Sequence, residues 1–302
     1  MPVFRIRHLT KYQYSGVVRH GHSEARLIPL DMQAQKVLSW NIHITPEPRI
    51  THRREDFFGN QVLYFSLEDP HQELAVEANS VVETWFLPLP TKPSTRYIEI
   101  RSRIMAEPAF FSERQYLLSS VHCPLGREFR QFFLAICPPN TTLLDALGRL
   151  GEIIKKDFTY DRHFTTIHTP VMEILKHRRG VCQDFAHLCI SLFRSVGVPA
   201  RYVSGYLETQ PPPGKEKLRG ADASHAWFAV FDPNLGWLEF DPTNNKFPDD
   251  SYIRLAWGRD YADVSPLKGV LYEGGSQTLQ VAVDVDRIAE QKFSLISAET
   301  SH

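Results

Sequence analysis

Apolar and polar residues alternate through much of the first 95 residues, which is the pattern of half-buried strands. Phe4, Ile6 and His8 begin this alternation at every second position. Further runs rich in β-branched and aromatic residues follow, separated by turn signals, at 25–30, 37–44, 62–65, 74–78 and 81–85. Short strands at this spacing predict a β-sandwich-like domain.

The pattern changes after a segment with three prolines, 87–93, which we interpret as a linker. From about Met105, apolar residues recur at helical spacing. This spacing predicts helices at 113–120, 125–137, 142–158 and 171–177, with Thr142 as a cap. After Pro199 the strand pattern returns at 200–206, 225–231, 237–241 and 281–285. The sequence thus predicts an α+β protein with a β-rich N-terminal domain at 1–95 and a core with C-terminal strands at 96–302.

One further helix is predicted to begin at Cys182, shortly after Gly180. Its apolar positions are 182, 185, 186, 189, 192, 193 and 196, and Gly197 and Pro199 end the run. A cysteine in the first turn lies at the positive end of the helix dipole, which favours the nucleophilic thiolate. The free N–H groups of the same turn can hold a developing oxyanion.

Composition argues against nucleic-acid binding, membrane association and secretion, and against a zinc site or disulfide framework. The net charge is −1, so nothing favours a nucleic-acid or anionic-membrane partner. No apolar run approaches about 20 residues and residues 1–7 lack an apolar signal core, so we expect neither a membrane span nor secretion. The four cysteines include no CxxC pair and no zinc-like cluster. We therefore expect a cytoplasmic protein without a cofactor, a metal or a disulfide framework.

A cysteine nucleophile needs a base, and the base needs a group that orients it. The predicted strand headed by His225 is joined by a short turn to one that ends at Asp241. If Phe231 pairs with Trp237, His225 and Asp241 become diagonal neighbours on one sheet face, about 7–8 Å apart at Cβ. A slip of one residue would separate them. This predicts a triad in which Cys182 is the thiolate, His225 the general acid and base, and Asp241 the acceptor of the other ring N–H.

Three short runs now carry a resemblance: Gly-Val-Cys-Gln-Asp-Phe-Ala at 180–186, Ser-His-Ala-Trp at 224–227 and Phe-Asp-Pro-Thr-Asn at 240–244. In this order they resemble the transglutaminase-like superfamily, and more narrowly its bacterial branch with a β-rich N-terminal domain. Segments 25–30 and 56–60 resemble that domain's own motifs. The resemblance spans nearly the whole chain. It implies a papain-like cysteine protease fold and assigns the same three residues to the triad.

The chain also departs from the animal transglutaminases. Those enzymes have Gln-Cys-Trp at the nucleophile, where this chain has Val181-Cys182-Gln183. The tryptophan that helps to hold their oxyanion has no counterpart here, and Tyr160 is a candidate substitute. No acidic cluster marks a calcium site, so calcium activation is not expected.

The neighbours of Cys182 have simpler interpretations. Asp184 is expected to bond to backbone at the helix start, and Cys189 to be a core residue. His187 points away from Cys182, so we expect a surface or packing role. The basic run 176–179 is typical of a solvated helix end, although its positive charge would also lower the pKa of Cys182.

These observations predict acyl transfer through a thioester on Cys182, with a peptide or protein as substrate. With water as acceptor the protein is a cysteine protease or amidase, which we expect. With an amine as acceptor it is a protein-glutamine transglutaminase. A binding or scaffold module that keeps the fold without turnover is the alternative of another class. Such modules normally lose a triad residue, and this chain retains all three. The physiological substrate and the oligomeric state stay open.

Overall fold

The computed structural model describes residues 1–89, 91–209 and 224–288. The chain begins with β1 (Val3–Ala25), β2 (Gln35–Thr45), β3 (Ile50–Glu55), β4 (Gln61–Leu67) and β5 (His71–Thr84). A mostly helical part follows, with α1 (Tyr97–Ala106), two 3₁₀ turns (Pro108–Phe110 and Ser112–Leu117), α2 (Arg127–Ile136), α3 (Leu143–Asp157), β6 (Thr159–Tyr160), α4 (Val171–His177), β7 (Arg179–Gly180) and α5 (Cys182–Ser195). The rest forms β8 (Ala200–Leu207), β9 (Ser224–Asp232), β10 (Gly236–Phe240), β11 (Tyr252–Gly258), α6 (Tyr261–Val264), β12 (Leu267–Glu273) and β13 (Gln277–Ile288).

The long strand β1 is shared by two halves of the N-terminal sheet. Its first part pairs with β5 and β13, and its last part pairs with β4 and β12. The register of its pairing with β5 shifts between Gln13 and Val18, where β1 changes neighbours. The halves pack together through a buried cluster: Tyr14, Val18, Ala25, Leu27, Ile44, Phe65, Leu67, Leu74, Val76 and Ala78. This is the predicted β-rich, sandwich-like arrangement.

The last two strands lie in a different place from the one that their position in the chain suggests. The predicted late strand is present as β13, but β12 and β13 both pair with β1 and extend the first sheet. Their backbone groups cover an edge of β1 that would otherwise be open. The division of the chain into domains at 1–95 and 96–302 stays a prediction. In the structure, the last two strands of the described chain belong to the same sheet as its first strand.

The core is a four-stranded sheet in the order β10-β9-β8-β11, with α5 packed against it. Apolar side chains of α5 such as Phe185 and Leu192 share one buried cluster with Phe228 and Val230 of β9. The helices predicted at 125–137, 142–158 and 171–177 are present, and the Thr142 hydroxyl accepts from the Asp145 N–H at 3.2 Å as a cap.

Two sequence expectations in the helical part differ from the structure. Helix α1 lies directly after the proline-rich segment, earlier than the predicted change of pattern. The segment 113–120 forms a 3₁₀ turn instead of an α-helix. Residues 87–93 form neither helix nor strand, apart from Pro90, which lies outside the described residues. Within the described ranges, no helix has the length and apolar character needed to cross a bilayer.

The outer edge of β11 is covered by two side-chain amides of the N-terminal half, Gln35 and Asn60, which we call the amide clasp. The Gln35 amide donates to the carbonyl of Arg254 at 2.9 Å and accepts from its N–H at 2.8 Å. Asn60 donates to the carbonyl of Trp257 at 2.8 Å and accepts from its N–H at 2.9 Å. Each amide satisfies both backbone groups of one residue, as a neighbouring strand would.

Replacing Asn60 with alanine should lower the free energy of unfolding by about 3 kcal/mol, because Asn60 is fully buried and its loss removes the hydrogen bonds that it makes with the N–H and carbonyl of Trp257. The measurement is urea unfolding followed by fluorescence. The control is Asn41→Ala, since Asn41 is exposed on β2 and its loss should cost less than about 0.5 kcal/mol. Equal unfolding midpoints for the two variants would contradict this role of the clasp.

Candidate active site

Helix α5 begins at Cys182, as predicted, so the thiol lies in the first helical turn. The turn is fixed by Asp184, whose carboxylate accepts from the Val181 N–H at 2.8 Å and from the Thr165 hydroxyl at 2.7 Å. The expected structural role of Asp184 at the helix start is therefore confirmed. Cys182 remains partly exposed, while Cys189, about two turns further along the helix, is buried as predicted.

Gly180 is required where α5 approaches β7. A Cβ atom at this position would lie 2.9 Å from both the Cβ and a carboxylate oxygen of Asp184. No real side chain fits at that distance. The glycine that precedes the helix therefore lets the Asp184 carboxylate fold back over the start of α5.

The hairpin of β9 and β10 has the predicted register, with Phe231 opposite Trp237. His225 lies near the start of β9 and Asp241 directly follows β10. His225 Nε2 donates to a carboxylate oxygen of Asp241 at 2.7 Å. Because Nε2 is bound to the carboxylate, Nδ1 is the nitrogen left for a second partner.

The Asp241 carboxylate is fully buried and saturated with donors. One oxygen accepts from the His225 ring, from the Tyr252 hydroxyl at 2.6 Å and from the Asn244 amide at 2.7 Å. The other accepts from the backbone N–H groups of Thr243 at 2.9 Å and Asn244 at 3.2 Å. Burial alone would raise the pKa of Asp241, but the hydrogen bonds, that of His225 foremost, hold the pKa below its ordinary value. Asp241 is thus a buried anion.

His225 is held in its protonated form by two partners. Burial lowers the pKa of the ring, but hydrogen bonding to Asp241 and to Cys182, with the charge of each, outweighs burial and raises the pKa to about 10. The imidazolium thus lies between a carboxylate and a cysteine sulfur, which is the arrangement of a Cys-His-Asp triad. The structure brings all three predicted site residues together, and their catalytic roles stay a prediction.

Tyr160 lies beside Cys182 because β6 pairs with β7. Tyr160 is opposite Gly180 in this short parallel ladder, and the next N–H, that of Asp161, donates to the Gly180 carbonyl at 2.9 Å. Partial burial, first, and the neighbouring Cys182 raise the pKa of Tyr160. The phenol is therefore a neutral donor at pH 7, next to Cys182.

The other histidine of α5 has a packing role. His187 is buried, stacks on His122 at 5.2 Å between ring centroids and accepts from the Tyr261 N–H at 3.2 Å. Burial, and then the neighbouring His122, place its pKa well below the ordinary value, so the ring is neutral. The packing part of the sequence expectation is confirmed and the surface alternative is wrong.

The remaining cysteines are inert in this arrangement. Cys123 and Cys137 are buried and free, with no disulfide between them. Burial raises the pKa of Cys123 to about 12 and that of Cys137 to about 11. Within the described ranges, no group of three or more His, Cys, Asp or Glu side chains is arranged to hold a metal ion.

Two partners of Asp241 were missed at the sequence level. Asn244 had a local signal, because an aspartate followed by a proline often accepts backbone N–H groups of its own turn. Tyr252 had none, because it lies on β11 and reaches Asp241 only through the fold.

Comparisons with known proteins agree with this architecture. Residues 4–83 match the bacterial transglutaminase-like N-terminal region, and residues 135–242 match the transglutaminase-like superfamily. An uncharacterized protein of Mycobacterium tuberculosis is 36% identical over 290 residues, which cover 93% of this chain and 92% of that protein. A protein-glutamine gamma-glutamyltransferase of Pseudomonas aeruginosa is 32% identical over 102 residues, covering 32% of this chain and 15% of that enzyme.

A solved structure shares the fold over nearly the whole chain. It comes from Cytophaga hutchinsonii and is named "Putative Cysteine Protease". The TM-score is 0.73 at 19% identity, with 95% of this chain and 91% of that chain covered. The two family matches, the relative that is similar along its length and the shared fold lead to one conclusion: this chain belongs to the transglutaminase-like superfamily, with the bacterial transglutaminase-like N-terminal region preceding its core.

Proposed function

We propose that the protein is a thiol-dependent acyl-transfer enzyme that hydrolyses peptide or glutamine amides, as a cysteine protease or amidase. The observation that carries this proposal is the His225–Asp241 hydrogen bond of 2.7 Å beside a cysteine in the first turn of a helix. In this proposal Cys182 is the nucleophile, His225 the base and Asp241 the group that orients the base, arranged in space as acyl transfer requires.

In the first half of the reaction, the Cys182 sulfur attacks the carbonyl carbon of the amide. The carbonyl electron pair moves to oxygen and forms a tetrahedral oxyanion. When the C–N bond breaks, His225 gives its Nδ1 proton to the departing nitrogen, which leaves as an amine or, from glutamine, as ammonia. A thioester on Cys182 remains.

In the second half, neutral His225 takes a proton from water as the water oxygen attacks the thioester carbonyl. The C–S bond then breaks, the acid is released and the thiolate–imidazolium pair is restored. Asp241 stays ionised throughout, because five donors hold its two oxygens, and it fixes the ring so that Nδ1 faces the sulfur.

Two donors support the oxyanion in this proposal. The first is the Cys182 N–H, since helix geometry leaves N–H groups of the first turn without intrahelical acceptors. The second is the Tyr160 hydroxyl, which the β6–β7 ladder holds beside Cys182. Tyr160 would take the role of the tryptophan that animal transglutaminases use.

An amine as acceptor is the second candidate. It is favoured by the 102-residue similarity to the Pseudomonas aeruginosa protein-glutamine gamma-glutamyltransferase. The first half of the reaction is the same, so only the acceptor separates the two functions.

Incubating a peptide library with the protein, with and without a primary amine, tests the proposed function by mass spectrometry. We expect cleaved peptides, or glutamine residues converted to glutamate, with no amine incorporated. Incorporated amine with loss of ammonia would instead assign a transglutaminase.

The same assay tests the nucleophile. Cys182→Ala should reduce turnover by at least about 1,000-fold while circular dichroism remains that of the parent protein. Cys189→Ala is the matched control on the same helix and should retain turnover. Activity in Cys182→Ala equal to that of the parent would remove the mechanism.

The raised pKa of His225 gives a pH dependence. The ring is protonated at pH 7 and loses its proton as the pH rises through about 10. Because acylation needs the imidazolium, kcat/KM should stay level between about pH 7 and about pH 9 and then fall. In Asp241→Asn the carboxylate charge is lost, so the pKa of His225 falls and the decrease of kcat/KM at alkaline pH begins at a lower pH.

If kcat/KM of this variant decreased at the same pH as in the parent protein, the assignment of Asp241 would be wrong.

Tyr160→Phe removes only the proposed oxyanion donor. We expect kcat to fall by about 10- to 100-fold with KM changed by less than about twofold, because the lost hydrogen bond forms in the transition state. Tyr272→Phe is the control, since Tyr272 is an exposed tyrosine on β12. Equal kcat values for the two variants would exclude Tyr160 as a donor.

A further inference from the structure

Arg162 is placed at the rim of the candidate site by the same ladder that places Tyr160. It follows β6 by two residues, and its guanidinium carbon lies 6.0 Å from the centroid of the Tyr160 ring. Tyr160 contacts both Arg162 and Cys182. One phenol thus separates the arginine from the proposed nucleophile, and Arg162 itself is exposed to solvent.

The neighbouring arginines Arg178 and Arg179 have carboxylate partners, which Arg162 lacks among the residues that the structure describes. Arg178 is paired with Asp157 at 3.3 Å, and Arg179 is paired with Asp161. In contrast, no carboxylate of the described ranges forms an ion pair with Arg162. Among the described residues, no acidic side chain therefore neutralises the positive charge of Arg162 at this rim.

We infer that Arg162 binds a carboxylate of the substrate beside the amide that Cys182 attacks. This inference rests on the proposed function and gives it a substrate class: amides with an acidic group next to the reacting carbonyl. A guanidinium presents two parallel N–H donors that match a carboxylate. The Tyr160 ring makes a cation–π contact with this guanidinium, and the arginine as a whole stays exposed to solvent.

Two sources of carboxylate fit this chemistry: an acidic side chain and a free C-terminal carboxylate. Peptides that carry Glu or Gln at the adjacent position test the first source. Peptides with a free or amidated C-terminus test the second.

A test that does not depend on turnover uses the alkylation of Cys182. Iodoacetate is an anion and iodoacetamide is its neutral analogue, so the ratio of their rate constants at one pH reports local positive charge. Arg162→Gln should lower this ratio by roughly twofold at about 0.1 M salt, the size expected for one partly screened charge at this range. The rate constant for iodoacetamide should not change.

The matched control is Arg127→Gln. Arg127 is an exposed arginine on α2, next to Gly126, whose N–H donates to the Ser195 hydroxyl at 3.3 Å. Ser195 is at the other end of α5, about 20 Å of helix from Cys182, so the substitution removes the same charge beyond the screening length. It should leave the ratio unchanged.

Two results would overturn the inference. One is an equal ratio in Arg162→Gln and Arg127→Gln. The other is a loss of kcat in Arg162→Gln that is the same for acidic and neutral peptides, because Arg162 would then act through Tyr160. Selective loss for acidic peptides supports it. If the protein hydrolysed no peptide but Arg162→Gln still lowered the iodoacetate-to-iodoacetamide ratio, the proposed function would be wrong, whereas the Arg162 subsite would stand.

Discussion

The buried carboxylate of Asp241 requires hydrogen-bond donors around it, and the arrangement of the core strands supplies them. An anion removed from water is strongly destabilising unless donors surround it. Its donors come from three parts of the chain: His225 on β9, Tyr252 on β11 and the backbone of its own turn. The hairpin register and the position of β11 must therefore both be correct before this anion can be accommodated. The chemistry of the site depends on the same requirement, since the anion is what keeps His225 protonated.

The N-terminal half contributes to this requirement without touching the site. The amide clasp holds Arg254 and Trp257 of β11, and β11 begins with Tyr252. The Arg254 guanidinium in turn donates to the carbonyl of Tyr252 at 2.9 Å, and the Tyr252 hydroxyl donates to Asp241. We see in this a reason for the β-rich N-terminal half to accompany the core: it completes the edge of the strand that carries a donor of the buried Asp241 carboxylate.

The sequence was informative wherever the determining contacts are local. The alternation around Phe231 and Trp237 was enough to bring His225 and Asp241 to one face, and the glycine and apolar stripe were enough to start a helix at Cys182. Contacts between segments far apart in the chain could not be inferred from any local sequence pattern. Gln35, Asn60 and Tyr252 look like ordinary polar or aromatic strand residues until the fold brings them to β11. The pairing of β12 and β13 with β1 could not be predicted for the same reason. The residue pattern of a strand indicates that it pairs with a neighbour but does not identify that neighbour.

The central place of β1 has a consequence for how the chain is made. The ribosome delivers β1 before β12 and β13, two of its neighbours, which follow the four strands of the core sheet in the chain. Until they emerge, one edge of the first strand has free backbone groups that other chains can pair with. Biosynthesis thus has an interval in which all four strands of the core sheet have been made while the first sheet still lacks two of its strands. During that interval the open edge of β1 is where pairing with another chain is easiest, and β12 and β13 end the interval by occupying that edge.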